Sequence, residues 1–373
     1  GKTEYTQMIK AMQSSNDREI AITAIHALGN MDDEKSLEAL FKLYETSQDH
    51  EIREKILFSL SESDNPQAAN KLMELAQNDP DVKIRKRAVF WLGEHAESPE
   101  MLQLLLKIAK SDPHRDVREH AVFALSEAPE GKGISMLKEI AQTEQDVEIR
   151  KKAIFWLGEN ADSPDILDLL KSIALKDRDS EVSQQAVFAL AEVPQGKGLP
   201  ILLDIAKHHQ DKEVRKKAIF WLGENAESEK IFNEIKNMAL NAKDTEIAEQ
   251  AVFALAEAPD NKGLPVLRDI VKNHPDGDIR QKAVFWIGEN AETEEDILFL
   301  KSVVDHDLDP EVREHAVFAI AESKDELGLP ALIQIAKSHE NKSIRKRAIF
   351  WLGESDDPRA REAIMEIINN LQQ

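Results

Sequence analysis

One pentapeptide recurs at a constant interval along the chain and constrains the fold more than any other feature. Phe-Trp-Leu/Ile-Gly-Glu occurs five times, and its copies contain all five tryptophans. A second form, Val-Phe-Ala-Leu/Ile-Ala/Ser-Glu, lies between these copies and recurs at the same interval. A fixed period that runs along a chain indicates a repeat protein, in which each unit stacks on the next. The phenylalanines of the two forms are Phe90, Phe155, Phe220, Phe285 and Phe350, and Phe123, Phe188, Phe253 and Phe318.

The two forms, together with Phe58 and His26 upstream, define 11 units of about 33 residues each, a length typical of helical repeats. We predict a single solenoid domain over residues 1–373, with a terminal helix at 358–371. The predicted units lie near 3–30, 31–62, 63–94, 95–127, 128–159, 160–192, 193–224, 225–257, 258–289, 290–322 and 323–354.

Each unit has the pattern of a helical hairpin, a helix A followed by a helix B. In the unit that ends at Glu127, helix A is predicted over Glu100–Lys110 and helix B over Asp116–Glu127. No alternating β-branched run indicates a strand. The apolar positions of this helix A follow helical spacing. They are Met101, Leu104, Leu105, Ile108 and Ala109.

The starts of the B helices carry a short side-chain acceptor at one fixed place, where it can cap the first turn. His114 is the exception. Glycine-rich loops, such as Gly131–Gly133 and Gly196–Gly198, follow alternate B helices, and we expect positive φ angles in them. The predicted caps are Asn16, Asp49, Asp81, Asp146, Asp179, Asp211, Asp244, Asp276, Asp309 and Asn341.

A lone hairpin cannot bury its apolar face, so stacked hairpins must share one core. We therefore predict an all-α fold, a right-handed α-solenoid of 11 helical hairpins with a C-terminal helix. The tryptophans occupy the place that alanine holds in the second form, so we expect each ring to be core, beside a methyl group of the neighbouring unit. The positions compared are Trp91, Trp156, Trp221, Trp286 and Trp351 with Ala124, Ala189, Ala254 and Ala319.

The phenylalanine series points away from its own hairpin. Phe90 lies on the side of its helix opposite Ile84, since each residue turns the helix by about 100°. Two interpretations stay open: neighbouring B helices cover the rings, or the rings line a partly open groove that docks a partner. The candidate binding residues are Phe90, Phe123, Phe155, Phe188, Phe220, Phe253, Phe285 and Phe318.

A glutamate lies one helical turn after each of these phenylalanines and so near the same helical face. It either bonds a neighbouring unit or steers a basic partner. The candidates are Glu127, Glu159, Glu192, Glu224 and Glu257, within a series that also holds Glu62, Glu94, Glu289, Glu322 and Glu354. Just before the phenylalanine the charge alternates between units, as in Lys86-Arg87 and Glu119-His120, which suits pairing across repeats.

Composition narrows the function. The chain has 48 basic and 70 acidic residues, a formal charge of −22, which disfavours nucleic-acid binding. It has no cysteine and no apolar run long enough for a membrane span. No phosphate loop, nucleophile elbow or zinc or calcium motif is present, so we expect no catalytic residue, metal or cofactor.

The pattern Asp-x-x-Ile/Val-Arg-x-x-Ala-x-x-x-Leu-Gly, as in Asp81–Gly93 and Asp146–Gly158, resembles the short HEAT-like repeat of bacterial phycobilin lyases. The resemblance covers essentially the whole chain, although Phe-Trp or Phe-Ala here replaces the usual small or polar residues before Leu-Gly. The recurring arginine becomes Ser183 and Ala248 in two units. Trp-Leu-Gly repeats of this kind resemble parts of exported bacterial proteins, which implies a longer chain and an exported or periplasmic location.

Taken together, these features predict a non-enzymatic scaffold or adaptor. Its partner would be another protein, a peptide or a domain, bound on the concave surface, and the acidic charge favours a basic one. The alternative is a lyase-like or chaperone-like carrier of a chromophore or client protein, which the resemblance leaves open. The oligomeric state does not follow from the sequence.

Overall fold

The computed structural model describes residues 15–31, 33–161 and 163–371. The chain divides into two compact units, Gly1–Gln195 and Gly196–Gln373. Every regular element within the described residues is helical, which confirms the all-α prediction. That residues 1–373 make one domain stays a prediction.

The first unit contains eleven described α-helices, α1 to α11. Their bounds are α1 Ser15–Met31, α2 Glu34–Thr46, α3 His50–Ser61, α4 Pro66–Asn78, α5 Val82–Glu94, α6 Pro99–Ser111, α7 Arg115–Ser126, α8 Ile134–Thr143, α9 Val147–Gly158, α10 Pro164–Lys176 and α11 Ser180–Ala191.

The second unit also contains eleven described α-helices, α12 to α22. Their bounds are α12 Leu199–His208, α13 Lys212–Glu224, α14 Glu229–Asn241, α15 Thr245–Ala256, α16 Leu264–Asn273, α17 Gly277–Glu289, α18 Glu294–His306, α19 Pro310–Ala321, α20 Leu329–Ser338, α21 Lys342–Glu354 and α22 Pro358–Leu371.

The helices form the predicted stack of hairpins within each unit. Even-numbered helices up to α20 are the A helices, and each packs against the B helix that follows it. Helix α22 is the predicted terminal helix. The predicted helix A of the first hairpin lies outside the described residues, whereas α1 is its helix B.

The B helices begin where the polar caps are placed. Nine of the predicted caps accept a backbone N–H of the first helical turn, from Asp49 at α3 to Asn341 at α21. His114 makes no such bond, as predicted. Helix α1 begins at Ser15, and the side chain of Asn16 lies outside the described residues.

Apolar residues of both helices fill the interior of each hairpin. In α6, Leu105, Ile108 and Ala109 are buried as predicted. Met101 and Leu104 are only half-buried, and Leu102 and Leu106 are buried instead. The buried stripe is therefore rotated slightly relative to the prediction.

The loop glycines have two different roles. Gly131 and Gly196 have φ angles of 67° and 65°, as expected for the left-handed region. Gly133 and Gly198 have ordinary φ angles of −79° and −78°, which corrects the prediction for these two positions. A Cβ atom on Gly133 would lie 1.9 Å from the carbonyl oxygen of Leu125, so this glycine provides space for close packing.

The helical glycines let neighbouring B helices approach each other. A Cβ on Gly93 would lie 2.7 Å from Cβ of Ala124, and one on Gly288 would lie 2.7 Å from Cβ of Ala319. Gly353 follows the last described Trp-Leu pair, and no atom lies within 4 Å of its Cβ position. Glycine is thus needed in this motif because a Cβ atom would collide with the neighbouring B helix, and not because of the conformation of its own helix.

Arginine–aspartate ion pairs connect successive hairpins near the turns, and some of them are buried. Arg85 and Asp112 are 6% and 7% exposed, and Nε of Arg85 lies 2.9 Å from Oδ2 of Asp112. We call the whole series the turn row. Its six arginine–aspartate pairs are Arg53–Asp79, Arg85–Asp112, Arg118–Asp146, Arg150–Asp177, Arg215–Asp244 and Arg280–Asp307.

Candidate binding surface

The predicted phenylalanines lie on the B helices, and their rings are neither sealed nor fully exposed. All eight candidates are half-buried. Phe350, in the last B helix, is 54% exposed. The observed exposure lies between the two interpretations of the sequence, because each ring is partly covered and partly open to solvent.

The tryptophans are not core, which corrects the prediction. All five are half-buried, whereas the alanines at the equivalent positions, such as Ala124 and Ala319, are at most 2% exposed. The indole ring contacts the phenylalanine of the preceding B helix, as two pairs show. Ring centroids are 5.2 Å apart for Phe123 and Trp156. They are 4.9 Å apart for Phe253 and Trp286.

Aromatic contacts alternate along each unit. At three places where a Trp-form helix precedes an Ala-form helix, two phenylalanines stack. The ring centroids of Phe155 and Phe188 are 6.3 Å apart and their planes differ by 5°, and the pairs Phe220–Phe253 and Phe285–Phe318 are similar. Each Trp ring also contacts, edge to face, the ring of the phenylalanine that precedes it in the sequence. The ring centroids of Phe285 and Trp286, for example, are 5.0 Å apart. We call this series of rings the aromatic stripe. It comprises Phe58, Phe90, Phe123, Phe155, Phe188, Phe220, Phe253, Phe285, Phe318 and Phe350 with Trp91, Trp156, Trp221, Trp286 and Trp351.

Cavities open along the aromatic stripe. In the second unit, Phe285, Phe318 and Trp351 line a cavity of about 550 Å³. In the first unit, Phe123, Phe155 and Trp156 line one of about 230 Å³. Both have aromatic floors and charged or polar walls, a composition typical of sites that bind side chains of a partner.

Charged residues pair across neighbouring hairpins beside the stripe, as the alternation of charge predicts. A guanidinium nitrogen of Arg347 lies 2.6 Å from a carboxylate oxygen of Glu314. Arg87 and Glu54 lie 3.7 Å apart. A hydrogen bond to Glu148 and, as a smaller contribution, one to Glu181 raise the pKa of the Lys151 ammonium. These exposed pairs stabilise little and mainly fix the register of the charges.

The glutamates that follow the phenylalanines form a different kind of row. All ten are exposed, and several, such as Glu127 and Glu192, directly follow the last turn of a B helix. Within residues 15–31, 33–161 and 163–371, none of them forms an ion pair with Lys, Arg or His. We call these ten residues, Glu62, Glu94, Glu127, Glu159, Glu192, Glu224, Glu257, Glu289, Glu322 and Glu354, the glutamate row.

Other kinds of site are not evident in the part of the chain that the structure describes. No group of three His, Asp or Glu side chains there converges as metal ligands would. Among the same residues, no helix has the length and apolar character needed to cross a membrane.

Comparison with known proteins gives a family and a fold. A family model for HEAT repeats matches residues 6–83, 70–149, 134–223, 199–288 and 297–371. No curated protein matches the sequence. The crystal structure of Kap121p is similar, with 14% identity and a TM-score of 0.51 over 93% of this chain. The structure of Kap121p bound to Nup53p has 12% identity and a TM-score of 0.52, also over 93%.

This chain spans about half the length of Kap121p, 48% in both structures. Human deoxyhypusine hydroxylase also matches, with 17% identity over 77% of this chain and 95% of its own. Its TM-score is 0.29, too low to carry an argument about activity. The similarity to Kap121p concerns the fold, an α-solenoid of stacked helical hairpins.

Proposed function

Because this chain belongs to the HEAT repeat family, we propose that it is a non-enzymatic scaffold that binds a peptide or domain of another protein along the aromatic stripe. The observation that carries the proposal is a row of half-exposed aromatic rings beside carboxylates that form no ion pair among the described residues. Aromatic side chains in partly desolvated pockets contribute most of the binding energy of typical interfaces.

The packing of the helices supports the B side as the binding face. Within each unit, neighbouring B helices pack closely, whereas neighbouring A helices contact each other sparsely. The side on which the helices lie closer together is the inner side of a curved stack. We therefore propose that the aromatic stripe lines a concave surface in each unit.

The charge beside the stripe favours a basic partner. Exposed carboxylates without an ion pair attract cationic side chains and raise the rate of encounter with a basic protein. In contrast, several lysines and arginines on the other side of the stripe are already paired, as Lys282 is with Glu249 and Arg347 is with Glu314. Kap121p has been crystallised with Nup53p and with Pho4p, so a related fold accommodates protein partners.

The experiment compares peptide binding to two double variants of the second unit. A displayed peptide library selects binders to the whole chain, and their Kd is then measured for each variant. In the first variant, Phe253→Ser and Phe285→Ser remove two rings of the stripe. In the control, Leu298→Ser and Leu308→Ser change apolar residues that are 65% and 96% exposed away from the stripe.

We expect the stripe variant to raise Kd at least tenfold, since hot-spot rings contribute about 2 kcal/mol or more each. The control should bind like the wild type. Charge reversal at Glu257 and Glu289 should also remove the preference for basic peptides. Equal affinity of a folded stripe variant and the wild type would disprove the proposal, and circular dichroism of each variant verifies folding.

A further inference from the structure

Arg313, in α19 of the second unit, holds the position of the turn-row arginines but has no acidic partner among the described residues, and it lines a polar cavity. Six equivalent arginines each pair with an aspartate of the next hairpin. Arg345, the last of the series, donates instead to the carbonyl oxygen of Ala336.

The aspartate that follows an A helix makes two contacts. At Asp307, Oδ1 accepts the backbone N–H of Asp309 and so shapes the turn. The carboxylate also accepts two N–H groups from Arg280, one at each oxygen. Having two oxygens, an aspartate can serve the turn and the arginine together.

Two arginines of the turn row pair with the cap of the next B helix instead. Arg118 reaches Asp146, and Arg215 reaches Asp244. The cap that corresponds to these for Arg313 is Asn341, whose side chain carries no charge. Neither of the two positions that supply a carboxylate elsewhere is therefore acidic beside Arg313.

In three hairpins, histidine replaces the aspartate that follows the A helix. This histidine can make only the contact within the turn, and not the contact with an arginine. Nδ1 of His274 accepts the N–H of Asp276, and Nδ1 of His339 accepts that of Asn341 at 3.0 Å. The other ring nitrogen then carries a hydrogen, so it cannot accept from a guanidinium. In the B helices before His209 and His274, the sequence has Ser183 and Ala248 in place of arginine.

The third case retains the arginine. Arg313 holds the same position before His339 that Ser183 holds before His209. Its Nε is buried without an acceptor, and no ion pair or hydrogen bond of its guanidinium is found among the described residues. Arg53, Arg150 and Arg215 also bury Nε in this way, but their terminal nitrogens reach a carboxylate.

The space beside Arg313 is open. A cavity of about 430 Å³ lies there, lined by Lys301, His306, Arg313, Gln334 and His339 among others. These side chains supply two full positive charges and several polar N–H donors. The cavity therefore has the donor chemistry that an anion requires.

Two acidic residues also line this cavity. The carboxylate of Asp305 already contacts Lys301 at 3.2 Å and Nε2 of His339 at 3.4 Å. Glu340 is exposed at the edge and forms no ion pair in the part of the chain that the structure describes. The donors of the cavity are thus only partly satisfied. The guanidinium of Arg313 has no partner among the described residues, and the exposed Glu340 forms no ion pair with it.

We propose that this cavity binds an oxyanion, a phosphate or carboxylate group, which takes the place of the missing aspartate against Arg313. A planar guanidinium binds such groups through two parallel hydrogen bonds. The oxyanion is either a free ion or part of a partner's side chain. This site lies at the turns, and it does not depend on the function proposed for the aromatic stripe.

The chain itself supplies the variants that test this site. Arg313→Ser reproduces the sequence combination of Ser183 with His209, and His339→Asp reproduces that of Arg280 with Asp307. Arg345→Ser is the control, since it removes the same charge from the next B helix, outside the cavity. Titration calorimetry at constant ionic strength measures binding of inorganic phosphate, acetate and N-acetyl-phosphoserine amide.

We expect saturable binding of at least one probe to the wild-type chain and to Arg345→Ser. Both Arg313→Ser and His339→Asp should raise Kd at least tenfold, and His339→Asp should also raise the Tm without anion. Preference for phosphate indicates a free ion, and preference for the phosphoserine derivative or acetate indicates a partner's side chain. Absence of binding by all three probes, or equal binding by Arg313→Ser, would overturn the proposal.

Discussion

Two rows of the same B helices differ in how completely their polar groups are satisfied. At the turn row, near the start of each helix, Arg85 and Asp112 are buried against each other with hydrogen bonds of 2.9 and 3.1 Å. At the glutamate row, near the end of each helix, the carboxylates are exposed and form no ion pair within the described residues. We call the start of a B helix, where the turn row lies, the sealed end, and its last turn, where the glutamate row lies, the open end.

The difference separates what stabilises the stack from what is left for a partner. Charges at the sealed end connect one hairpin to the next, and removing one partner leaves a buried charge behind. Charges at the open end have no such role in the fold. The exposed carboxylates of the glutamate row are therefore the groups that we expect to meet a partner.

The largest effect is expected at the sealed end. Asp112→Ala leaves Arg85 buried without its carboxylate, and this should cost about 3–5 kcal/mol of the free energy of unfolding. Glu139→Ala removes the partner of Lys110 in an exposed pair of the same region and should cost less than about 1 kcal/mol. Urea unfolding monitored by circular dichroism measures both. Equal losses would show that burial does not distinguish the two pairs.

A smaller effect is expected where a glycine lets two neighbouring B helices approach closely. Gly288→Ala places a Cβ 2.7 Å from Cβ of Ala319, so the helices must move apart at a cost of about 1–3 kcal/mol. Gly353→Ala meets no atom within 4 Å and should stabilise α21 by up to about 1 kcal/mol through helix propensity. The two substitutions should therefore shift the Tm in opposite directions. Shifts of the same sign would contradict the close-approach explanation.

The smallest effect is expected at the open end. Glu159→Gln with Glu192→Gln removes two exposed charges that pair with no cation among the described residues, so the Tm should not fall measurably. The affinity for a basic peptide selected on the wild-type chain should fall at the same time. A marked drop in Tm would assign these glutamates to the fold and would remove the distinction between the two ends.

The sequence predicts most of the fold because the repeat presents each feature many times. Both helices of the hairpin that ends at Glu127 begin and end beside their predicted bounds, and nine caps are confirmed. Local spacing and cap chemistry act within one or two turns of helix, so they can be read from a single chain.

Contacts between hairpins are harder to predict. The exposure of Trp156 depends on the position of Phe123 in the preceding B helix, which a helical projection of one hairpin does not contain. The pairing of glycine with alanine has a signal, since the interval from Gly93 to Ala124 is also the interval from Gly288 to Ala319. The arginines of the turn row lie between 26 and 29 residues before their aspartates, so this pairing has a less constant interval.

The alternation of rings has a consequence for how such a chain can change in length. Phe285 stacks on Phe318, whereas the rings of Phe318 and Trp351 are tilted relative to each other. Two kinds of contact between neighbouring B helices therefore alternate. Loss or gain of two consecutive hairpins preserves that order, but loss of a single hairpin brings two like helices together. The structural repeat of this protein is consequently the pair of hairpins, and insertions or deletions should preserve the packing only in even numbers of hairpins.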